Sequence, residues 1–122
     1  MEITIETSLS VTVLRLAGDL RLWGHEEQEQ QLALAIHKVG EQRPEHLVLS
    51  MAAVAHVDSA GIGSLARVPT ECAKHQSELV VVLPKGVAGE AIRRVRIFDP
   101  WANHADEATA LKSISGFVRM LN

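Results

Sequence analysis

The stretch Val57-Asp58-Ser59-Ala60-Gly61-Ile62-Gly63-Ser64-Leu65 (VDSAGIGSL) lies where an extended apolar run gives way to a helical pattern. Upstream, after Pro44, His46 to Ser50 with its Leu47-Val48-Leu49 centre reads as a strand buried on both faces. Downstream, Gly61 to about His75 is helical in pattern, and Leu79-Val80-Val81-Val82-Leu83 before Pro84 reads as a second buried strand. Two such strands joined through a helix predict a parallel pair. Pro69 interrupts that helix, because it removes a backbone donor and pushes Val68 from helical angles; a kink, or a restart with Pro69 in the first turn, is expected.

The flanks extend the same pattern. Glu2 to Glu6 alternates polar and apolar, Val11 to Ala17 is rich in β-branched residues and leucine, and the short Thr7-Ser8-Leu9-Ser10 connection predicts a hairpin. From about Glu26 to Val39, Leu32, Ile36 and Val39 fall at i, i+4 and i+7, one apolar stripe on a helix for which Gly40 is the expected stop. Ala88 to Ile97 predicts a short helix, Trp101 to His104 a short strand, and Glu107 to Leu121 a closing amphipathic helix. The expected order is β-β-α-β-α-β-α-α with the short strand near Trp101 to His104 added to it, an α/β fold.

Composition bounds the function. The 122 residues, 47% hydrophobic, suffice for one core, and without repeats or a Pro/Gly/Ser-rich linker residues 1–122 are expected to form one domain. A net charge of -3 leaves no electrostatic footprint for nucleic acid or anionic lipid. Cys72 is the lone cysteine, so no intrachain disulfide is possible, and the start Met1-Glu2-Ile3-Thr4-Ile5 lacks the apolar core of a signal peptide. No apolar run approaches the roughly 20 residues that cross a bilayer. The expected compartment is the cytoplasm, without direct membrane insertion.

The residue types of VDSAGIGSL invite three chemical readings. His56, Asp58 and Ser59 are triad types, but in an extended segment His56 and Asp58 share a face while Ser59 points away, and Val57 stands where a nucleophile elbow needs glycine. Gly61-Ile62-Gly63 lacks the Lys-Ser/Thr that completes a phosphate loop. Helix capping fits better: Asp58 or Ser59 can accept a hydrogen bond from a first-turn amide, typically worth about 1 kcal/mol. Capping leaves unexplained why Ser59-Ala60-Gly61-Ile62-Gly63 is so small and bare, a surface that a partner can approach closely.

These residues carry a family resemblance. Asp58-Ser59-Ala60-Gly61-Ile62-Gly63 followed by Leu65 resembles the Asp-Ser-Ser/Ala-Gly-Leu-Gly signature of STAS domains, especially the bacterial anti-sigma-factor antagonists. Gly18-Asp19-Leu20 is similar to that family's Gly-x-Leu turn after its second strand. Val54 and Val57 sit as in its strand before the signature, and Glu107-Ala108-Thr109-Ala110-Leu111 resembles the start of its last helix. Arg21, Ser50 and His56 differ from the family's common residues. The resemblance implies a mixed sheet of four to five strands covered by about four helices, and a non-enzymatic protein-binding module without cofactor. It implies that Ser59 is phosphorylated by a partner that is both anti-sigma factor and serine kinase, and reset by a PP2C-type phosphatase. Asp58, Ser59, Ala60, Gly61, Ile62, Gly63 and Trp23 are the expected partner surface, and self-association through the first strands is compatible with it. A phosphate would bring about -1.5 to -2 charges beside Asp58, tolerable at a helix start but costly to bury in a complex matched to a neutral hydroxyl. A non-switching stressosome-type scaffold and a cytoplasmic STAS subunit of a lipid-transport complex are the alternatives within the fold.

Other candidates have plain structural readings. The six histidines, His25, His37, His46, His56, His75 and His104, show no metal-ligand spacing, and His56 is expected to be semi-buried. Arg93, Arg94 and Arg96 read as a solvated helix face, Trp101 as core lining, Cys72 as a small buried apolar residue, and Trp23 as a candidate exposed anchor. With 3% aromatic residues there is little on which a nucleobase could stack.

Overall fold

Ile3 and Ile5 alternate with Glu2, Thr4 and Glu6, which gives β1 (Glu2–Ser8) one face to bury; it pairs antiparallel with β2 (Val11–Leu20), Glu2 opposite Ala17 and Ser8 opposite Val11. The computed structural model describes residues 1–99, 101 and 103–114. After the hairpin come α1 (Glu26–Glu41), β3 (His46–Val57), α2 (Ser59–Leu65), α3 (Arg67–His75), β4 (Glu78–Val82), α4 (Gly86–Val95), β5 (Asn103–His104) and α5 (Glu107–Lys112). Among the described residues one five-stranded sheet forms in the order β1-β2-β3-β4-β5, and β2 to β5 run parallel, so the sheet is mixed.

Alternation along the central strands divides the core. Leu14, Leu47, Leu49 and Val81 point to the face covered by α1, α2, α3 and α4, where Leu32, Ile36, Val68 and Ile92 meet them. Val11, Val13, Val48, Val80 and Val82 point to the other face, beneath Ala110 and Ile114. β3 and β4 are thus apolar on both sides because helices cover both sides, and each fully buried Leu or Val contributes roughly 1.5–3 kcal/mol. α5 is fixed at its start by Asp106, which accepts the Thr109 N–H at 2.7 Å, and by Arg15 of β2, which donates twice to Glu107 at 2.8 Å.

Boundaries differ from the sequence pattern for physical reasons. β3 continues past Ser50 to Val57, since Met51 and Val54 are still buried and Ala53, Val54, His56 and Val57 still pair with β2 through two register shifts. Gly18-Asp19-Leu20 is therefore the irregular end of β2 and not a turn after it. Gly40 does not stop α1: it is buried inside the helix against Glu71 and His75, and the chain turns at Arg43, whose φ is +50°, just before Pro44. The helix predicted from Gly61 is two helices, the first starting at Ser59, and α3 restarts at Arg67 with Pro69 in its first turn, where an N–H has no helical partner. α4 spans Gly86–Val95 instead of Ala88 to Ile97, because Arg96 takes φ +59°. The last helix ends at Lys112, capped by Ser113, and the rest of the predicted helix, from Ser115, lies outside the described residues. Among the described residues no helix is long and apolar enough to cross a membrane.

Candidate functional site

Asp58 leaves the sheet in an extended conformation (φ -124°, ψ -177°) and caps α2. Its Oδ1 accepts the N–H groups of Gly61 at 2.8 Å and Leu22 at 3.0 Å, and its Oδ2 accepts that of Trp23 at 3.0 Å. Burial pushes this carboxyl up, but the backbone N–H groups of Gly61, Trp23, Leu22 and Ala60 overcome it and hold Asp58 below the usual carboxylate range. Of the two capping candidates it is thus Asp58 that caps. It also does something that sequence spacing does not show: it ties the connection between β2 and α1 to the start of α2, 36 residues along the chain from Leu22.

Ser59 is the first residue of α2, is exposed, and makes no side-chain hydrogen bond among the described residues. Both oxygens of Asp58 are committed to backbone, so His56, Asp58 and Ser59 form no proton relay. His56 is exposed, contrary to the semi-buried expectation, because the last residues of β3 project into solvent; it stands opposite Asp19 in the strand register. Asp19 is held well below the carboxylate range by hydrogen bonds from the Arg21 guanidinium and backbone N–H, so the cation of Arg21 is already paired beside the site. Ser50 is buried in β3 and lines a cleft with Arg15 and Glu107, which places it apart from Ser59.

The two glycines of the motif do different work. A Cβ on Gly61 would overlap the Leu20 carbonyl oxygen and meet Val57 Cγ2 at 3.1 Å, so Gly61 lets α2 press against the ends of β2 and β3. Gly63 is exposed, and a Cβ there would meet nothing within 4 Å. Ala60 and Ile62 are half-buried against the core, while Trp23, in the loop that Asp58 holds, is 84% exposed.

Gly63 opens onto a groove of about 750 Å³ between α1 and the α2–α3 pair, walled by Ala33, Leu34, Ala66, Thr70 and Glu71. Sequence reasoning missed this groove, although it had one signal: Leu34, 68% exposed, lies off the Leu32-Ile36-Val39 stripe that explains the rest of α1. Arg93, Arg94 and Arg96 are exposed, and Arg96 pairs with Asp99 at 3.1 Å; Arg93 borders a separate cleft with Lys85 and His104. Trp101 packs half-buried on the core. Cys72 is buried, and burial, aided by Glu71, pushes its thiol up to about 11. Among the described residues no group of three or more His, Cys, Asp and Glu side chains is placed to hold a metal ion.

The family model of the STAS domain matches residues 2–108. The chain belongs to the STAS domain family. Among solved structures it is similar to the anti-sigma factor antagonist SpoIIAA in its unphosphorylated form, at 21% identity over 94% of this chain and 99% of that one, with a TM-score of 0.71. It is similar also to the Bacillus cell fate determinant SpoIIAA in the phosphorylated form, at 17% identity over 93% and 99%, TM-score 0.69. An anti-sigma factor antagonist from Mycobacterium paratuberculosis shares 23% identity over 93% of each chain, TM-score 0.75. At these identities the likeness is one of fold. No curated protein matches the sequence. This STAS domain therefore carries the five-stranded mixed sheet and helices that its signature implied, with Ser59 at the head of α2.

Proposed function

We propose that this STAS domain is a phosphorylation-controlled anti-sigma-factor antagonist. Unmodified, it binds an anti-sigma factor that is also a serine kinase and frees the sigma factor; with phosphate on Ser59 it lets go, and a PP2C-type phosphatase restores it. It works in the cytoplasm as one domain over residues 1–122, without catalysis of its own. The observation that carries this reading is the division of labour at the motif: the Asp58 carboxylate is spent on three backbone N–H groups, while the neighbouring Ser59 hydroxyl is exposed and uncommitted among the described residues.

In the transfer the Ser59 oxygen forms the new P–O bond, its proton leaves to a base of the kinase, and ADP departs from ATP. The product carries about -1.5 to -2 charges beside an ionised Asp58, and a partner fitted to a neutral hydroxyl would have to desolvate that charge. Trp23 stands beside this position as a large exposed anchor. The test is intact-mass analysis with site mapping after incubation with ATP and the serine kinase of the anti-sigma type from the same organism. One phosphate on Ser59, absent from Ser59→Ala, supports the reading. Stable binding of the kinase with no phosphate added would replace it with the non-switching scaffold.

A further inference from the structure

We infer that Asp58 is a positioning residue for partner binding: through its Oδ2 it fixes Trp23 beside Ser59, so that the indole and the serine hydroxyl meet the partner as one surface. This role rests on the proposed function and names how its binding surface is held together.

The carboxylate divides its work between its two oxygens. Oδ1 accepts the N–H groups of Gly61 at 2.8 Å and Leu22 at 3.0 Å, and Oδ2 accepts that of Trp23 at 3.0 Å. Capping α2 needs a single acceptor, which asparagine supplies as well as aspartate. An aspartate is required only where both oxygens must accept, because the second polar atom of an asparagine is a donor. The bond to Trp23 is what calls for a carboxylate at this position.

The two loop residues depend on Asp58 unequally. Leu22 is fully buried, so the core holds it whether or not its N–H is bonded. Trp23 is exposed and belongs to neither core cluster; among the described residues its N–H bond to Asp58 is the one hydrogen bond it makes. Its neighbours do not brace it: Gly24 turns the chain at φ +79° in open space, and Arg21 spends its guanidinium on Asp19. The place of the indole is therefore set from Asp58. A kinase that transfers phosphate to Ser59 must close over that hydroxyl, and the residue bonded to the adjacent carboxylate falls under the same cover. Tryptophan is the side chain most suited to anchor a protein there, and fixing it beforehand spares the complex the cost of ordering the loop.

Asp58→Asn separates the two tasks. With its amide oxygen in place of Oδ1 it retains the bonds from Gly61 and Leu22, while its NH2 confronts the Trp23 N–H, donor against donor. Amide hydrogen exchange followed by NMR is the first readout and needs no partner. In the wild-type chain the Trp23 N–H should exchange slowly although its side chain is exposed. In Asp58→Asn it should exchange about tenfold faster or more, with Gly61 still protected. Unprotected Trp23 in the wild type, or equal acceleration at Gly61 and Trp23 in the variant, overturns the division of labour. The second readout is the affinity of the serine kinase used above, by titration calorimetry, for wild type, Asp58→Asn, Trp23→Ala and the double variant. Each single change should weaken binding about tenfold, and the double variant should bind no more weakly than Trp23→Ala alone. A double variant about a hundredfold weaker overturns the inference, since Asp58 would then meet the partner directly. Wild-type affinity in Asp58→Asn or in Trp23→Ala, with Ser59 still phosphorylated, overturns it and leaves the switch standing. A wild-type chain that neither binds the kinase nor is phosphorylated removes both readings.

Discussion

Replacing Gly61 by alanine should destabilise the protein, while the same change two residues later should stabilise it. In a helix interior alanine normally gains roughly 0.5–1 kcal/mol over glycine. At Gly61 the new methyl overlaps the Leu20 carbonyl oxygen and stands 3.2 Å from its carbon and 3.1 Å from Val57 Cγ2. Neither neighbour can yield alone: Leu20 and Val57 are partners in the β2–β3 ladder, and Asp58 ties Leu22, two residues after Leu20, to α2. Relief requires α2 to swing outward, which costs roughly 1–3 kcal/mol of overpacking strain and about 1 kcal/mol more as Asp58 loses its reach to Leu22 and Trp23. Set against the propensity gain, the net loss is about 2 kcal/mol, or roughly 10 °C in melting temperature for a domain of this size. Gly63→Ala meets open space and should gain about 0.5–1 kcal/mol. Urea unfolding followed by far-ultraviolet circular dichroism measures both variants through the midpoint concentration at constant slope. A Gly61→Ala protein as stable as the wild type would refute the account of how α2 is seated.

Asp58→Ala should cost roughly 2 kcal/mol at neutral pH, because three backbone N–H groups lose their acceptor. The folded protein holds this carboxyl below its unfolded value of about 3.9, so the contribution is full above that value and fades as pH falls through the folded one; the difference in stability between wild type and variant should shrink steadily as pH is lowered below 4. Arg15→Ala should lower stability by about 1 kcal/mol in the same urea assay, since it removes the two-bond link from β2 to Glu107 of α5. Cys72, buried and pushed up to about 11, should stay unlabelled by a disulfide reagent at pH 8 in the native protein and react at once in denaturant; rapid native labelling would contradict its burial.

The strands were legible because their periods are unambiguous: Glu2 to Glu6 alternates, and Leu47 to Leu49 and Leu79 to Leu83 are continuous apolar runs. The ends of elements were less so. Gly40 looks like a stop in sequence, yet in space it is the place where α1 touches Glu71 and His75, and only the tertiary contact says so. In the hydrophobic pattern the continuation of β3 beyond Ser50 was hidden by Ala52, Ala53 and Ala55, which suit a helix as well as a strand; the segment is held extended because Ala53, Val54 and His56 pair with Ala17, Gly18 and Asp19 of β2.

At the site, the serine and its cap were readable in one line of sequence because Asp58 and Gly61 are three residues apart. The bonds from Asp58 to Leu22 and Trp23 were not, since they join segments 35 and 36 residues apart that only the sheet brings together. The groove was hidden for the same reason: Leu34 off the apolar stripe and the bare Gly63 were separate oddities in the sequence, and only the packing of α1 beside α2 and α3 makes them walls of one groove.

The central claim, that Ser59 is a switch, is tested most directly by measuring the affinity of the partner kinase for two forms of this chain, unmodified and phosphorylated on Ser59, under the same buffer and salt. The account predicts binding by the unmodified form and a loss of about a hundredfold on phosphorylation. Equal affinity for the two forms would contradict it.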